Sequence, residues 1–167
     1  MSLHQSCLDR LEAYLRDQGV AYKLERHPLA YTARGVADSE HLSARQVAKA
    51  VIIIADGRPV MVVLPASHEL QLNELAQGLG ASEARLAEES EFAPIFPDCE
   101  TGAMPPFGNL YGLRVYMDSS LCEDGSLVLQ AGTHTDTMRI ACADFKQLVK
   151  PSIVHLARYR HHPRMPV

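Results

Sequence analysis

Val47-Ala48-Lys49-Ala50-Val51-Ile52-Ile53-Ile54-Ala55-Asp56-Gly57-Arg58-Pro59-Val60-Met61-Val62-Val63-Leu64 places two apolar runs on either side of an aspartate and a glycine. Branching at Cβ fills the first run, and branched residues suit a pleated, packed surface. Asp-Gly accepts the positive φ of a two-residue hairpin turn, so the stretch predicts two antiparallel strands. Both runs are far too short to cross a bilayer as helices. Lys49 is the misfit. Taking an ammonium out of water is costly, so this side chain either reaches back to solvent along its stem or faces a pocket where a ligand pairs with it.

Outward from the hairpin, Leu8, Leu11 and Leu15 recur at helical spacing, with Ser6 or Ser2 as cap and Gly19 as stop. Val20–Arg26 alternates as a strand does, and Tyr31–Ser39 reads as a short helix. Leu72, Leu75, Ala76 and Leu79 form a helical stripe closed by Gly80, and Glu88–Phe96 follows as a second helix. Leu113–Met117, Leu127–Ala131 and Thr137–Ala141 read as strands. Phe145, Leu148 and Val149 place a closing helix before Pro151. Consecutive strands with scattered helices predict an α/β (α+β) fold on a mixed or mostly antiparallel sheet. At 167 residues the chain is long enough for one domain with a real core. That domain is assigned to 1–152, its centre to about 20–150, and a basic tail to 153–167.

The net charge of −4 speaks against a general nucleic-acid coat while leaving room for a local basic patch. Charges between 69 and 100 are acidic except for Arg85, and those from 143 onward are basic except for Asp144. The 4 cysteines form no C-x-x-C pair, so buried free thiols are expected. An early charged segment without an apolar run argues against a signal peptide, and a cytoplasmic address is expected.

Gly102-Ala103-Met104-Pro105-Pro106-Phe107-Gly108 cannot continue a helix and makes a poor central strand. It reads either as an ordinary turn or as a stiff loop whose exposed amides suit a carbonyl or oxyanion. Gly132-Thr133-His134-Thr135-Asp136 ends a strand with two hydroxyls and a histidine, the makings of a pocket edge. His41 and His27 are further candidates, each equally at home in a structural role. His161-His162 lacks the spacing of a metal site, and no metal is expected. There is no Gly-x-Ser-x-Gly elbow and no phosphate-cradling Gly-x-x-x-x-Gly-Lys. Cys99 and Cys122 lack an activating partner. A hydrolase built from this sequence would use water as its nucleophile.

Taken in order, Lys49 in Ala48-Lys49-Ala50-Val51, the Gly102–Gly108 element and Ala131-Gly132-Thr133-His134 resemble the YbaK-like free-standing aminoacyl-tRNA deacylases. These are relatives of the editing domain inserted in bacterial prolyl-tRNA synthetases. The resemblance implies a compact domain around a curved, mixed sheet, and hydrolysis of the ester joining a small, mischarged amino acid to the terminal ribose of tRNA. It implies catalytic roles for Lys49, Gly102 and His134. Substrate would be bound by Ala50, His41, Ala103, Met104, Pro105, Pro106, Phe107, Gly108, Gly132 and Thr133. Arg26, Arg34 and Arg45 would contact the acceptor end. No cofactor is implied, nor a membrane or DNA partner; a synthetase partner is compatible with the family. Several relatives carry Thr or Asn after the lysine, where this chain has Ala50, so a polar contact used for substrate choice is missing. A non-catalytic module binding tRNA or a synthetase is the competing reading, and a hydrolase of another small acyl ester is a third.

Overall fold

The structure, a computed structural model, describes residues 5–27, 44–122 and 125–159. Helix α1 (Cys7–Asp17) is capped by Ser6, whose Oγ accepts the Asp9 N–H at 3.1 Å, and buries Cys7, Leu11 and Leu15. Strand β1 (Lys23–Arg26) follows. The hairpin forms as its sequence dictates: β2 (Ala48–Ala55) runs antiparallel to β3 (Arg58–Pro65), with Ile52 opposite Met61. Asp56 and Gly57 both take positive φ, 49° and 79°, the geometry of a two-residue turn. Next come β4 (His68–Leu70), α2 (Leu75–Leu79), β5 (Ala84–Leu86) and α3 (Glu89–Phe92). The second half holds β6 (Val115–Asp118), β7 (Ser126–Gln130), β8 (Asp136–Ala141), α4 (Cys142–Val149), β9 (Ser152–Val154) and β10 (Ala157–Tyr159).

A five-stranded sheet runs β5-β2-β3-β6-β9, antiparallel on the β5 side of β3 and parallel beyond it. A three-stranded antiparallel sheet runs β1-β8-β7, and β4 pairs with β10. One residue ahead of β2, Val47 forms a parallel bridge with Val128 of β7, while β5 takes the other end of β2 at Ile53–Ala55. The two larger sheets therefore meet edge to edge as one curved, mixed surface.

Strand alternation sorts the side chains. Ala48 and Ile52, with Met61 and Val63, pack with Leu127, Leu129, Met138 and Ile140, with Leu11 and Leu15 of α1, and with Phe145 of α4. Ile53, Val60 and Val62 lie on the other face and form a second cluster with Leu75, Leu79, Val154 and Leu156. Buried Asp118 ties the last strands down, accepting the Leu156 and Ala157 N–H groups at 2.8 and 2.9 Å.

The structure departs from the sequence reading in several places. Glu88–Phe96 breaks into α3 and a 3-10 turn over Ala93–Ile95, because Pro94 offers no N–H to continue an α-helix. β9 and β10 carry the ordered fold past residue 152 into the segment expected as a tail. The cysteines are not free thiols: Cys7 bonds Cys99 and Cys122 bonds Cys142, pairs that the fold makes across 92 and 20 residues. The expected helix at Tyr31–Ser39 and residues 160–167 lie outside the described residues.

Candidate active site at the Gly102 loop and the edge of the curved sheet

The Gly102 loop is mostly interior. Ala103, Met104, Pro105, Pro106, Phe107 and Gly108 are buried, and only Thr101 and Gly102 reach the surface. Phe107 packs edge-on against Tyr14 and Phe145, with ring centroids 6.1 and 5.4 Å apart, and Met104 joins the same core cluster. Two prolines and an aromatic thus anchor the segment, and its exposed shoulder is what can meet a ligand. Gly108 is required by space: a Cβ there would lie 2.8 Å from Val115 Cγ2. Gly102 is required by conformation, with φ +86°. The Gly102 N–H meets the Met104 thioether at 3.2 Å, a weak acceptor that readily yields to a stronger one.

His134 lies under that shoulder. It is 8% exposed, and a Cβ on Gly102 would touch its Cε1 at 3.6 Å. Its Nε2 is 2.9 Å from the Thr101 carbonyl, which only accepts, so Nε2 carries a hydrogen. Its backbone N–H donates to Glu100 Oε2 at 2.9 Å. Thr133 has turned inward: its Oγ1 donates to Asp136 Oδ2 at 2.6 Å and accepts the Asp136 N–H at 3.0 Å, closing the β7–β8 turn. Gly132 at φ +97° leaves no room for a side chain, since a Cβ would sit 2.5 Å from Cys7 Sγ.

Lys49 is held on the neighbouring strand. Its Nζ donates to the His68 carbonyl at 2.8 Å, and its side chain shares the face of Val51 and Ile53. There it borders a groove of about 410 Å³ walled by Val51, Glu69, Leu70, Leu72 and Leu86, with no residue of the 102–108 loop among them. His134 thus lies against the Thr101–Gly102 shoulder, while the ammonium belongs to the adjacent surface. Ala50 points to the opposite face of β2, toward the first core cluster. Arg26 is exposed on β1, and exposed Arg45 lies over the Tyr159 ring at 5.5 Å. His41 and Arg34 lie outside the described residues.

The residues that match a known family model span 27–148, and that model is the aminoacyl-tRNA editing domain. The chain belongs to this family. As an editing domain it is 26% identical over 154 residues to the Escherichia coli K12 protein named multifunctional Ser/Thr-tRNA deacylase ProXp-y, covering 89% of this chain and 92% of that protein. It is 29% identical over 92 residues to the proline–tRNA ligase of Halalkalibacterium halodurans, covering 55% of this chain and 16% of the ligase. A solved structure described as a candidate trans-editing enzyme for prolyl-tRNA synthetase superposes with TM-score 0.79 at 19% identity, covering 91% of this chain and 97% of the other, which shows the shared fold.

Some residues around the editing-domain site are not distinctive in sequence. Glu100 sits in an acidic stretch like its neighbours, yet it holds the His134 amide. Gln130 looks like one polar residue at a strand end, yet it is buried with Thr137 opposite it. Beside Glu100, Tyr111 Oη donates to the Asp98 carboxylate at 3.1 Å, and Arg10 lies over its ring. Burial, followed by the Asp98 charge, pushes the Tyr111 phenol up. Among the described residues Cys7, Asp98 and Cys99 approach closely enough to suggest a metal site, but both sulfurs are already spent on each other. No helix among the described residues is long and apolar enough to cross a membrane.

Proposed function

We propose that this editing domain is a trans-editing aminoacyl-tRNA deacylase. It cleaves the ester of a small amino acid on a mischarged tRNA and works in the cytoplasm, where its substrate is made. The observation that carries the reading is the exposed Thr101–Gly102 shoulder, where the Gly102 N–H meets only a thioether and His134 packs against the Thr101 carbonyl.

In the proposed reaction, water adds to the ester carbonyl carbon and the carbonyl oxygen becomes an oxyanion. The Gly102 N–H exchanges the thioether for that oxygen; one well-placed donor of this kind is worth about 3 kcal/mol. His134, beside the loop, relays the proton of the attacking water to the leaving ribose oxygen as the acyl C–O bond breaks. Lys49 pairs with a phosphate of the acceptor end, on which the charge of the site would act from the adjacent face. The single-stranded end of tRNA is the part able to enter such a site. The size of the amino acid is read by pocket volume, where one methylene contributes only about 1–3 kcal/mol.

The test is a panel of mischarged tRNAs incubated with the folded protein. Release of at least one amino acid well above the buffer rate is expected, with competition from uncharged tRNA. A folded protein that binds tRNA without accelerating any hydrolysis overturns the enzyme reading in favour of a binding module.

A further inference from the structure

The aliphatic run of β7 ends in Gln130, a residue that is 5% exposed and whose Nε2 has no hydrogen-bond partner among the described residues. A buried donor without an acceptor costs roughly 1–3 kcal/mol. Native structures keep few such groups, and each has a reason. The preceding residues Leu127, Val128 and Leu129 show what this strand uses where packing alone decides.

The register gives the location. Gln130 faces away from the core cluster of Leu127 and Leu129. On its own face it neighbours Thr137, 1% exposed, across the ladder, and the alternation of β1 brings buried His27 to the same side. Val47 and Val128 form the bridge that joins the two sheets. Two residues further along each strand, with the parity of that bridged pair, stand Lys49 and Gln130. Two residues beyond Gln130 begins the turn Gly132–His134, which Ala103 and Glu100 contact. Gln130 therefore occupies the interval between the lysine and the histidine.

We infer that Gln130 is a specificity-determining residue, whose side-chain N–H donates to a hydroxyl oxygen of the substrate, and that this hydroxyl belongs to the esterified amino acid, as in serine or threonine. This rests on the deacylase reading. The burial of the amide favours the aminoacyl side chain, the part of such a substrate that inserts deepest, over the ribose hydroxyls at its outer end. A site that offers a donor to a substrate hydroxyl discriminates strongly against the analogue without it, because the donor is then left unpaired.

The experiment compares seryl- with alanyl-tRNA, and threonyl- with valyl-tRNA, for the wild type and for Gln130→Met, which keeps the volume and removes the donor. The wild type is expected to favour each hydroxylated ester by at least about tenfold in kcat/KM. Gln130→Met is expected to bring each pair within about threefold, mainly by losing the hydroxylated member. No hydroxyl preference in the wild type, or an equal loss on both members of each pair as a ribose contact would give, overturns the inference while leaving the deacylase intact. Failure of the folded wild type to cleave any ester overturns the deacylase reading itself. If Gln130→Met does not fold, the side-chain amide NMR signal of Gln130 in the wild type decides. It is expected to shift with a non-hydrolysable seryl-adenosine amide and to stay in place with its alanyl counterpart; the same response to both overturns the inference.

Discussion

Glu100 grips the β7–β8 turn at two points: its N–H donates to the Gly132 carbonyl at 2.8 Å, and its Oε2 accepts the His134 N–H at 2.9 Å. The first bond survives any side-chain change, and the second does not. Glu100→Ala should lower kcat about tenfold, the loss of one charge-assisted hydrogen bond, with little change in Tm because the side chain is exposed. Glu100→Gln keeps an acceptor and should stay near wild type. Steady-state kinetics beside thermal melts checks both; a parallel fall in Tm would mean that Glu100 serves the fold instead.

Lys49→Met keeps much of the stem and removes the ammonium. The loss of kcat/KM should be roughly 100-fold, the scale of one strong electrostatic contact in a site. If the partner is a tRNA phosphate, the variant should also show a shallower salt dependence of KM than the wild type. Circular dichroism should be unchanged, because Lys49 borders the groove and belongs to neither core cluster.

Gly108→Ala drives a methyl group to 2.8 Å from Val115 Cγ2, 3.2 Å from Leu113 Cβ and 3.3 Å from Met61 Sδ. Overpacking of this kind costs about 1–3 kcal/mol, to be read from denaturant melts. Gly102→Ala meets nothing closer than 3.6 Å and carries instead the strain of its positive φ, about 1–2 kcal/mol. Both variants should therefore lose stability, and only Gly102→Ala, at the exposed shoulder, should lose turnover beyond what the melts account for.

Alkylation of the native protein without reductant should label no cysteine, since all four are paired. Reduction should lower Tm. The Cys7–Cys99 bond, closing 92 residues, should account for more of the loss than Cys122–Cys142, closing 20. Chain-entropy arguments put the larger loop at up to about 4–5 kcal/mol. Cys99 precedes Glu100 directly, so reduction should also slow turnover.

At the surface, Arg85 and the backbone of Glu88 hold the Glu91 carboxyl down to about 2 from its ordinary 4.5. A carboxyl depressed in the folded state contributes stability above its unfolded pKa, and that contribution fades as pH falls from 4.5 toward 2. Glu91→Gln should flatten the acid limb of the Tm-versus-pH curve in that window and leave neutral pH almost unchanged, as expected for an exposed pair.

The hairpin was legible because its signal is local: a branched run, Asp-Gly, another apolar run. The caps at Ser6, Gly19 and Gly80 were legible for the same reason. β4, β5, β9 and β10 were not, since strands of three residues carry no period, and each exists by virtue of a partner distant in sequence. Gly102 and His134 stood out by residue type, and the fold sets His134 against the carbonyl of Thr101, next to Gly102. The burial of Met104 and Phe107 was hidden, because a Gly/Pro segment looks the same in sequence whether its side chains point inward or out. Gln130 was hidden for a related reason: only the bridge between Val47 and Val128 reveals that it stands in register with Lys49.

The His68 carbonyl that receives Lys49 belongs to β4, and β4 is paired with β10, the strand fastened by Asp118. A fragment trimmed to the limits of the family match, 27–148, would shed β9 and β10 at one end and α1 with Cys7 at the other. Such an excised piece would keep every motif by which the family is recognised and lose the scaffolding behind the amine. The smallest unit worth expressing or grafting into another enzyme therefore runs at least from residue 5 to residue 159.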